Sequence, residues 1–399
     1  MEPLLFSAIE LRGLRLRNRV VVSPMLSYSA TGGHANDEHL AHYARFATGG
    51  AGLVFLEATK IDPRGCSTAR DLGLWKDEFV EPLARIAALV KRSGAAVGIQ
   101  LSHSGRKARR SLPWEGNEPL AGCPGVDHGE PWELVGPSAV AHSPKYETPR
   151  ELAPAEIDEL IERWGQAAER AQRAGFDAIE IQGGHGYLVH QFLSPVANRR
   201  RDEYGGPLEN RMRFALDVVR RIRRSWPREK PLFFRMSVVD DAGWTLDDSV
   251  VLARTLKEAG VDVIDCSSGG MLDAVRGGPP IGYGYQVEYA RRIRELADVR
   301  TMAVGLIVHG DQAETIVREG SADLVALGRE FLHNPNWPLD AAQKMGVAGA
   351  FGLAPARVGF WLEKRARVRG VRPSTWGRGI DGDEGAPREP AGEPGAKRP

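Results

Sequence analysis

Eight short apolar segments alternate with eight amphipathic segments along most of this chain, and this alternation constrains the fold more than any other feature. Several apolar segments are almost continuously hydrophobic, which is typical of parallel strands covered by helices. Strand–helix units in series predict a (β/α)8 barrel. A doubly wound sheet is the alternative, but no GxGxxG dinucleotide motif follows the first strand. The strands are predicted at 20–23, 53–58, 97–101, 178–182, 232–237, 263–267, 301–305 and 324–328.

The segments between these strands carry helix start and stop signals. Pro154 precedes a helical pattern with Glu156 in its first turn, and Gly175 and Gly260 stand where helical patterns end. Proline at the first position and glycine just past the last are the usual asymmetry of helix ends. The helices are predicted at 38–48, 78–93, 154–174, 209–225, 246–259, 286–296, 311–319 and 335–344.

The charge balance argues against several classes of protein. The 399 residues include 53 Lys and Arg against 52 Asp and Glu, a net charge of +1, whereas a nucleic-acid-binding domain is usually strongly basic. No apolar run is long enough for a membrane span, and the N-terminal residues lack the pattern of a signal peptide. We therefore expect a cytoplasmic protein with neither nucleic-acid nor membrane partners.

The metal-ligating residues are scattered. Cys66, Cys123 and Cys266 lie far apart, which gives no disulfide framework and no cysteine cluster for a [4Fe–4S] centre. His185 and His190 are five residues apart with no third ligand. The sequence therefore predicts no metal site.

The spacing of the segments predicts the domain organisation. Residues 1–345 form one barrel, and the Gly-, Pro- and Trp-rich segment 104–153 is too long for an ordinary connection, so we expect a lid-like loop or subdomain on the catalytic face. Residues 346–372 form an extension that is a candidate oligomer contact. Residues 373–399 are dominated by Gly, Pro and charge, which predicts a disordered tail.

Function in a barrel lies at the carboxyl ends of the strands. Arg235 sits among Phe233, Phe234 and Met236, where a charge is costly unless it is paired or meets an anionic ligand. Both interpretations, an internal salt bridge and an anion site, remain open. Gln100 ends the third strand with an amide that can donate and accept hydrogen bonds.

The last two strand ends predict a phosphate site. Gly305 and Gly328 let backbone N–H groups approach phosphate oxygens, and Arg329 adds a guanidinium; residues 267–270, Ser-Ser-Gly-Gly, could complete the cradle. A phosphorylated planar ligand such as FMN fits this arrangement. Gln100 could then pair with its pyrimidine edge, and Arg235 could stabilise negative charge near its N1 atom.

The fourth strand ends in a glycine-rich turn that carries Gln182, His185 and Tyr187. The first two side chains could face one ligand, and Tyr28, after the first strand, offers a second phenol. Each of these residues has a plain structural alternative when taken alone.

Several stretches together resemble one family. NRVVVSPM, EAT, QLSHSGRKA, GGHGYLVHQFLSPVANRRRDEYGGPLENRMRF, AVGLI and LGRE, in this order, are similar to the Old Yellow Enzyme family of NAD(P)H:flavin oxidoreductases, in its short bacterial branch. The resemblance covers about residues 4–343 and implies a (β/α)8 barrel with non-covalent FMN. The FMN contacts implied by the motifs are Ser23, Pro24, Met25, Leu26, Ala58, Gln100, Arg235, Gly305, Gly328 and Arg329.

The resemblance also implies a ping-pong reaction, in which hydride passes from NAD(P)H through FMN to the β-carbon of an α,β-unsaturated carbonyl compound. Tyr187 matches the proton donor, Tyr28 a substrate-contacting tyrosine, and Gln182 with His185 the pair that grips the substrate oxygen. The resemblance further implies an enone-like or phenolic small molecule as substrate, and a homo-oligomer, dimer or tetramer.

Two positions depart from the family pattern. Leu26 replaces a usual cysteine near the flavin, and Gln182 replaces a usual histidine. A neutral amide contributes a weaker hydrogen bond than a charged donor, so carbonyl activation could be weaker. A family variant that desaturates, demethylates or isomerises a specialised metabolite is therefore the alternative function. A flavin-binding protein with little turnover is the third.

Overall fold

The computed structural model describes residues 2–120, 132–272 and 281–368. Eight parallel strands close into a barrel. Each barrel strand pairs with the barrel strand that follows it in the chain, and the last one pairs with the first. This closure confirms the predicted (β/α)8 barrel and is incompatible with an open doubly wound sheet. The barrel strands are β3 (Val20–Val22), β4 (Leu53–Lys60), β5 (Ala96–Ser102), β8 (Ala178–Gly183), β9 (Leu232–Ser237), β10 (Val263–Ser267), β11 (Arg300–Ala303) and β12 (Leu324–Leu327), and the short strands outside the barrel are β1 (Ile9–Leu11), β2 (Leu14–Leu16), β6 (Val135–Gly136) and β7 (Arg150–Glu151).

Helices surround the barrel, and their ends show why the sequence starts and stops them there. Asn36 accepts a hydrogen bond from the Glu38 amide at the start of α1, and the Ala153 amide donates to Glu156 at the start of α3. Gly260 ends α6 with a φ of +112°, where a side chain would be strained. The helices are α1 (Asp37–Thr48), α2 (Val80–Arg92), α3 (Pro154–Arg173), α4 (Leu188–Leu193), α5 (Leu208–Ser225), α6 (Leu246–Ala259), α7 (Val287–Ala297), α8 (Gly310–Arg318), α9 (Arg329–His333), α10 (Trp337–Lys344) and α11 (Ala356–Ala366).

Two elements differ from the sequence prediction. The segment predicted as one helix from Pro335 begins at Trp337, behind the separate turn α9. The short helix α4 follows the glycine-rich turn after β8 and was not predicted, because its six residues are all buried and show no amphipathic period. Among the described helices, none combines the length and hydrophobicity needed to cross a bilayer.

The amino end of the barrel is closed by a hairpin. Strands β1 and β2 pair antiparallel, and their apolar side chains join a cluster with residues of the barrel interior such as Phe55, Phe233 and Met302. The Gly13 amide at the hairpin turn donates to the Glu229 carbonyl. With this end sealed, the open end of the barrel is the one where the strands finish.

The long segment after β5 packs on that open end. Its described parts hold the pair β6–β7, and the buried Arg106 guanidinium donates to the Met271 carbonyl at 3.0 Å. Beyond α10, the Arg17 guanidinium donates to the Leu353 carbonyl at 2.8 Å, which ties the start of the extension to the barrel. The predicted tail at 373–399 lies outside the described residues.

Candidate active site

A cavity of about 380 Å³ opens at the carboxyl ends of the strands. It lies between the ends of β9 to β12 and the loop after β3, which are the positions that the sequence marked for a phosphorylated ligand. Seven of the predicted cofactor residues meet there, together with His185 from the turn after β8. The predicted residues in its wall are Ser23, Pro24, Met25, Arg235, Gly305, Gly328 and Arg329.

The two glycines of the cavity keep its wall clear of side chains. Gly305 has a φ of +114°, and a Cβ there would lie 2.8 Å from the Gln286 amide oxygen. A Cβ on Gly328 would lie 3.4 Å from the Met25 sulfur. Both positions therefore expose backbone rather than side chain, and Arg329 adds a guanidinium beside them. A backbone cradle with one fixed cation is suited to phosphate.

Arg235 satisfies both interpretations that the sequence left open. Its Nε lies 3.3 Å from the buried Asp265 carboxylate, and its Nη1 donates to the Ser23 hydroxyl at 2.9 Å. The guanidinium nevertheless lines the cavity, and its Nε has no hydrogen-bond acceptor in the described part of the chain. A buried cation that is incompletely hydrogen-bonded and faces a cavity fits an electron-rich ligand edge.

Gln100 lies deeper in the barrel. Its amide nitrogen donates to Glu180 at 2.7 Å, and its backbone is in register with Ala58, which is 5% exposed. Burial raises the pKa of Glu180 well above its usual range, and the neighbouring Asp265 carboxylate adds to the shift. Gln100 and Ala58 therefore lie at the same level of two adjacent barrel strands, with one amide N–H of Gln100 already used.

Gln182 and His185 meet each other, as the sequence spacing suggested. The Gln182 amide nitrogen lies 3.3 Å from His185 Nδ1, and His185 Nε2 lies 2.6 Å from the Ser267 hydroxyl. Burial, with Arg235 and Lys107 nearby, lowers the pKa of His185 well below its usual value, so the ring is neutral at pH 7. Both ring nitrogens are therefore engaged by protein groups.

Two ammonium groups lie near the ring of Tyr187. Lys60 Nζ lies 5.4 Å and Lys107 Nζ 5.5 Å from the centre of its ring. The Lys107 ammonium also donates to the carbonyls of His185 and Gly270 at 2.9 and 3.1 Å. Both distances are within the range of a cation–π contact, so the ring of Tyr187 is held beside two cationic side chains.

Tyr28 lies on the loop after β3, next to the half-buried Leu26. Its φ of +53° is unusual for a residue with a side chain, and the edge of Trp114 meets its ring with centroids 5.7 Å apart. Burial raises the pKa of its phenol, and the phenol of Tyr187 contributes to the shift. The two tyrosines thus belong to one region of the barrel mouth.

Sequence reasoning missed three buried charged residues of the site. Glu180 and Asp265 stand in apolar strands, as Arg235 does, and the same anomaly of a charge within a hydrophobic run could have revealed them. Buried Lys60, paired with Asp71 at 3.4 Å, could have been found in the same way. Within the described residues, no group of three or more His, Cys, Asp or Glu side chains could hold a metal ion.

A parallel barrel with a phosphate cradle and a cavity-facing guanidinium at its carboxyl end is the class of protein that binds a phosphorylated cofactor such as FMN. The sequence model of the NADH:flavin oxidoreductase / NADH oxidase family matches residues 4–346. The chain belongs to this family, the Old Yellow Enzymes, whose cofactor is non-covalent FMN and whose reductant is NAD(P)H.

Relatives cover nearly the whole barrel. The chain is 45% identical over 352 residues to an NADPH dehydrogenase of Geobacillus sp. (strain WCH70), covering 87% of this chain and 96% of the relative. It is 41% identical over 347 residues to the NADPH dehydrogenase of Bacillus subtilis (strain 168), covering 86% and 95%.

Solved structures share the fold at lower identity. Morphinone reductase matches with a TM-score of 0.70 and 26% identity over 87% of this chain and 91% of its own. The Old Yellow Enzyme homologue from Zymomonas mobilis matches with a TM-score of 0.69 and 28% identity over 84% and 91%. The protein is thus an NAD(P)H-dependent oxidoreductase of the FMN type.

Proposed function

We propose that this enzyme reduces the activated C=C bond of α,β-unsaturated carbonyl compounds with NAD(P)H in a ping-pong reaction. The observation that carries the proposal is the convergence of Tyr187, the Gln182–His185 pair and the cavity around Arg235 at one barrel mouth. The chemistry that bound FMN supplies there is hydride exchange, first with NAD(P)H and then with the β-carbon of the alkene.

The chain's residues supply binding and proton transfer. Ser23, Gly305 and Gly328 line the cavity and would hold FMN, and Arg329, in the same lining, would meet its phosphate. Arg235 lines the same cavity and would face the electron-rich edge of the flavin. Tyr187 donates the proton to the α-carbon of the substrate, and the Lys107 ammonium, 5.5 Å from its ring centre, stabilises the phenolate that remains.

The test separates the two half-reactions by stopped-flow absorbance of bound FMN under anaerobic conditions. We expect NADPH to bleach the flavin and 2-cyclohexenone to restore its colour. Replacing Tyr187 by Phe removes the proton donor, so the step with the alkene should slow about 100-fold or more while bleaching by NADPH changes little. The matched control is Tyr289→Phe, a half-buried tyrosine on α7, which should leave both steps unchanged. Equal slowing of both half-reactions by Tyr187→Phe would contradict the proposed role.

One observation favours a second candidate, a family variant with altered chemistry. Both nitrogens of His185 are bonded to Gln182 and Ser267, so gripping a carbonyl oxygen requires breaking one of these contacts. Such a site could instead serve desaturation, demethylation or isomerisation. If no activated alkene restores the flavin colour, but a donor metabolite bleaches it where NADPH does not, this second function is supported. If neither NADPH nor any donor bleaches it, the protein binds flavin with little turnover.

A further inference from the structure

A short hairpin in the segment after β5 closes against Tyr28. Arg110 and Pro119 form an antiparallel bridge at its base, and the Ser111 amide donates to the Glu118 carbonyl at 2.9 Å. At its tip, Trp114 is 68% exposed and turns its edge onto the ring of Tyr28. The hairpin therefore forms one wall of the entrance to the proposed active site.

The base of this hairpin holds a buried guanidinium with unused donors. Arg110 is 6% exposed, and neither its Nε nor its Nη2 has a hydrogen-bond acceptor among the described residues. Its guanidinium carbon lies 4.3 Å from the ring centre of Tyr146, which holds the plane in place. No carboxylate in the described ranges lies within ion-pair distance of it. A buried cation in this state is suited to an anionic ligand.

The backbone of Arg110 is hydrogen-bonded through Ser67 to Lys60, which lies beside the ring of Tyr187. The Arg110 amide donates to the Ser67 carbonyl at 2.7 Å, and the Ser67 hydroxyl lies 3.3 Å from the Lys60 ammonium, which faces Tyr187. The charge of Lys60 is balanced by Asp71 at 3.4 Å, whereas Nε and Nη2 of Arg110 have no acceptor among the described residues.

The hairpin that begins at Arg110 packs on Tyr28 through Trp114, with ring centroids 5.7 Å apart. The positive charge of Arg110 also opposes the rise in the pKa of Tyr28 that burial causes.

We propose that Arg110 selects substrates that carry a carboxylate next to the activated alkene. The planar guanidinium can take both carboxylate oxygens through its two free N–H groups, while Tyr28 and Trp114 enclose the apolar part of the molecule. This proposal rests on the proposed function, because it names the substrate class of the same site.

The test compares an acid with its methyl ester, trans-4-oxo-2-pentenoate and methyl trans-4-oxo-2-pentenoate, which share one enone. The ester group activates the alkene more than the carboxylate does, so the change in the ratio of the two kcat/KM values between the wild type and a variant is the quantity that reports recognition of the carboxylate. We expect the holoenzyme to favour the acid, and Arg110→Gln to lower kcat/KM for the acid about 10- to 100-fold while changing that for the ester less than about threefold. The conservative Arg110→Lys should restore part of the preference. The control Arg109→Gln alters a neighbouring arginine that pairs with Glu147, and it should leave the ratio unchanged.

A binding measurement keeps this inference separate from the proposed function. 4-Hydroxybenzoate and its methyl ester are titrated into the holoenzyme, and the change in flavin absorbance gives each Kd. Tighter binding of the acid that disappears in Arg110→Gln supports the inference even if no alkene is reduced, in which case only the proposed function fails. Equal affinity for acid and ester, or an equal loss of both in the variant, would overturn it.

Discussion

Arg235 lines the cofactor cavity and has two buried carboxyl groups, Asp265 and Glu180, as neighbours. Asp265 lies 3.3 Å from its Nε, whereas Glu180 is hydrogen-bonded to Gln100. Burial raises the pKa of both carboxyl groups and Arg235 opposes the rise at both, but at Glu180 the neighbouring Asp265 carboxylate adds to it, so Glu180 has the larger shift. We infer that Asp265 is the ionised partner of Arg235 and that Glu180 stays protonated at pH 7.

This assignment predicts different effects for two similar substitutions. Asp265→Asn removes the negative charge that offsets Arg235, so the reduction potential of bound FMN should rise by on the order of 30 mV, about 1.4 kcal/mol for a two-electron couple. Glu180→Gln removes no charge, because Glu180 is already neutral, and it should leave the reduction potential of bound FMN unchanged within about 10 mV. Dye-equilibration titration of the two holo-variants measures both values. Equal shifts in the two variants would show that the proton is shared between these carboxyl groups.

The turn between β8 and α4 fixes Tyr187 through tight backbone contacts. Gly186 has a φ of +72°, and a Cβ there would lie 2.2 Å from the Gly270 carbonyl oxygen. Its own amide and carbonyl are hydrogen-bonded to the side chains of His190 and Gln191. The turn therefore has no room to accommodate a side chain by a local shift.

We expect Gly186→Ala to displace this turn and, with it, Tyr187. Reoxidation of FMN by the alkene should slow at least about tenfold, and the free energy of unfolding should fall by about 2–3 kcal/mol, because a backbone clash is added to the cost of a positive φ. The matched control is Gly175→Ala at the end of α3, where φ is +84° but no atom lies within 4 Å of the added Cβ. That variant should lose only about 1–2 kcal/mol, with no change in rate. Urea unfolding and stopped-flow absorbance measure the two effects, and a rate that is normal in Gly186→Ala would show that the turn can relax.

Elements were predictable from the sequence where one local signal dominates. Continuous apolar runs gave the barrel strands, and Pro154, Gly175 and Gly260 marked helix ends that the structure confirms to within a residue. The contacts within the site could not be predicted in this way. That Arg235 pairs with Asp265, or that His185 bonds to Ser267, depends on strands that are adjacent only in the closed barrel. The roles of the site residues in catalysis stay predictions.

At the scale of the whole molecule, burial of histidines couples folding to pH. His103, at the end of β5, is 1% exposed; its Nδ1 accepts from the Gly105 amide at 3.0 Å, and its Nε2 has no partner among the described residues. Burial lowers its pKa to about 3, while Asp62 opposes the shift. The unfolded chain therefore binds a proton near pH 6.5 that the folded protein does not, and stability is lost as the pH falls below 6.5.

The contribution of His103 can be measured as a difference between two pH values. Between pH 7.5 and pH 5.0, proton uptake by His103 in the unfolded chain should lower the free energy of unfolding by about 2 kcal/mol. The reason is that the unfolded imidazole is protonated over about 1.5 pH units of that interval, from pH 6.5 to pH 5.0. His103→Gln, which cannot titrate, should reduce the loss of unfolding free energy over this interval by that amount, although its stability at pH 7.5 can be lower. The control His34→Gln alters a partly exposed ring that packs on Phe79 and should leave the loss unchanged. Urea unfolding of the holo-proteins in excess FMN gives the three values, and an unchanged loss in His103→Gln would mean that this histidine is protonated in the fold, with Asp62 outweighing burial.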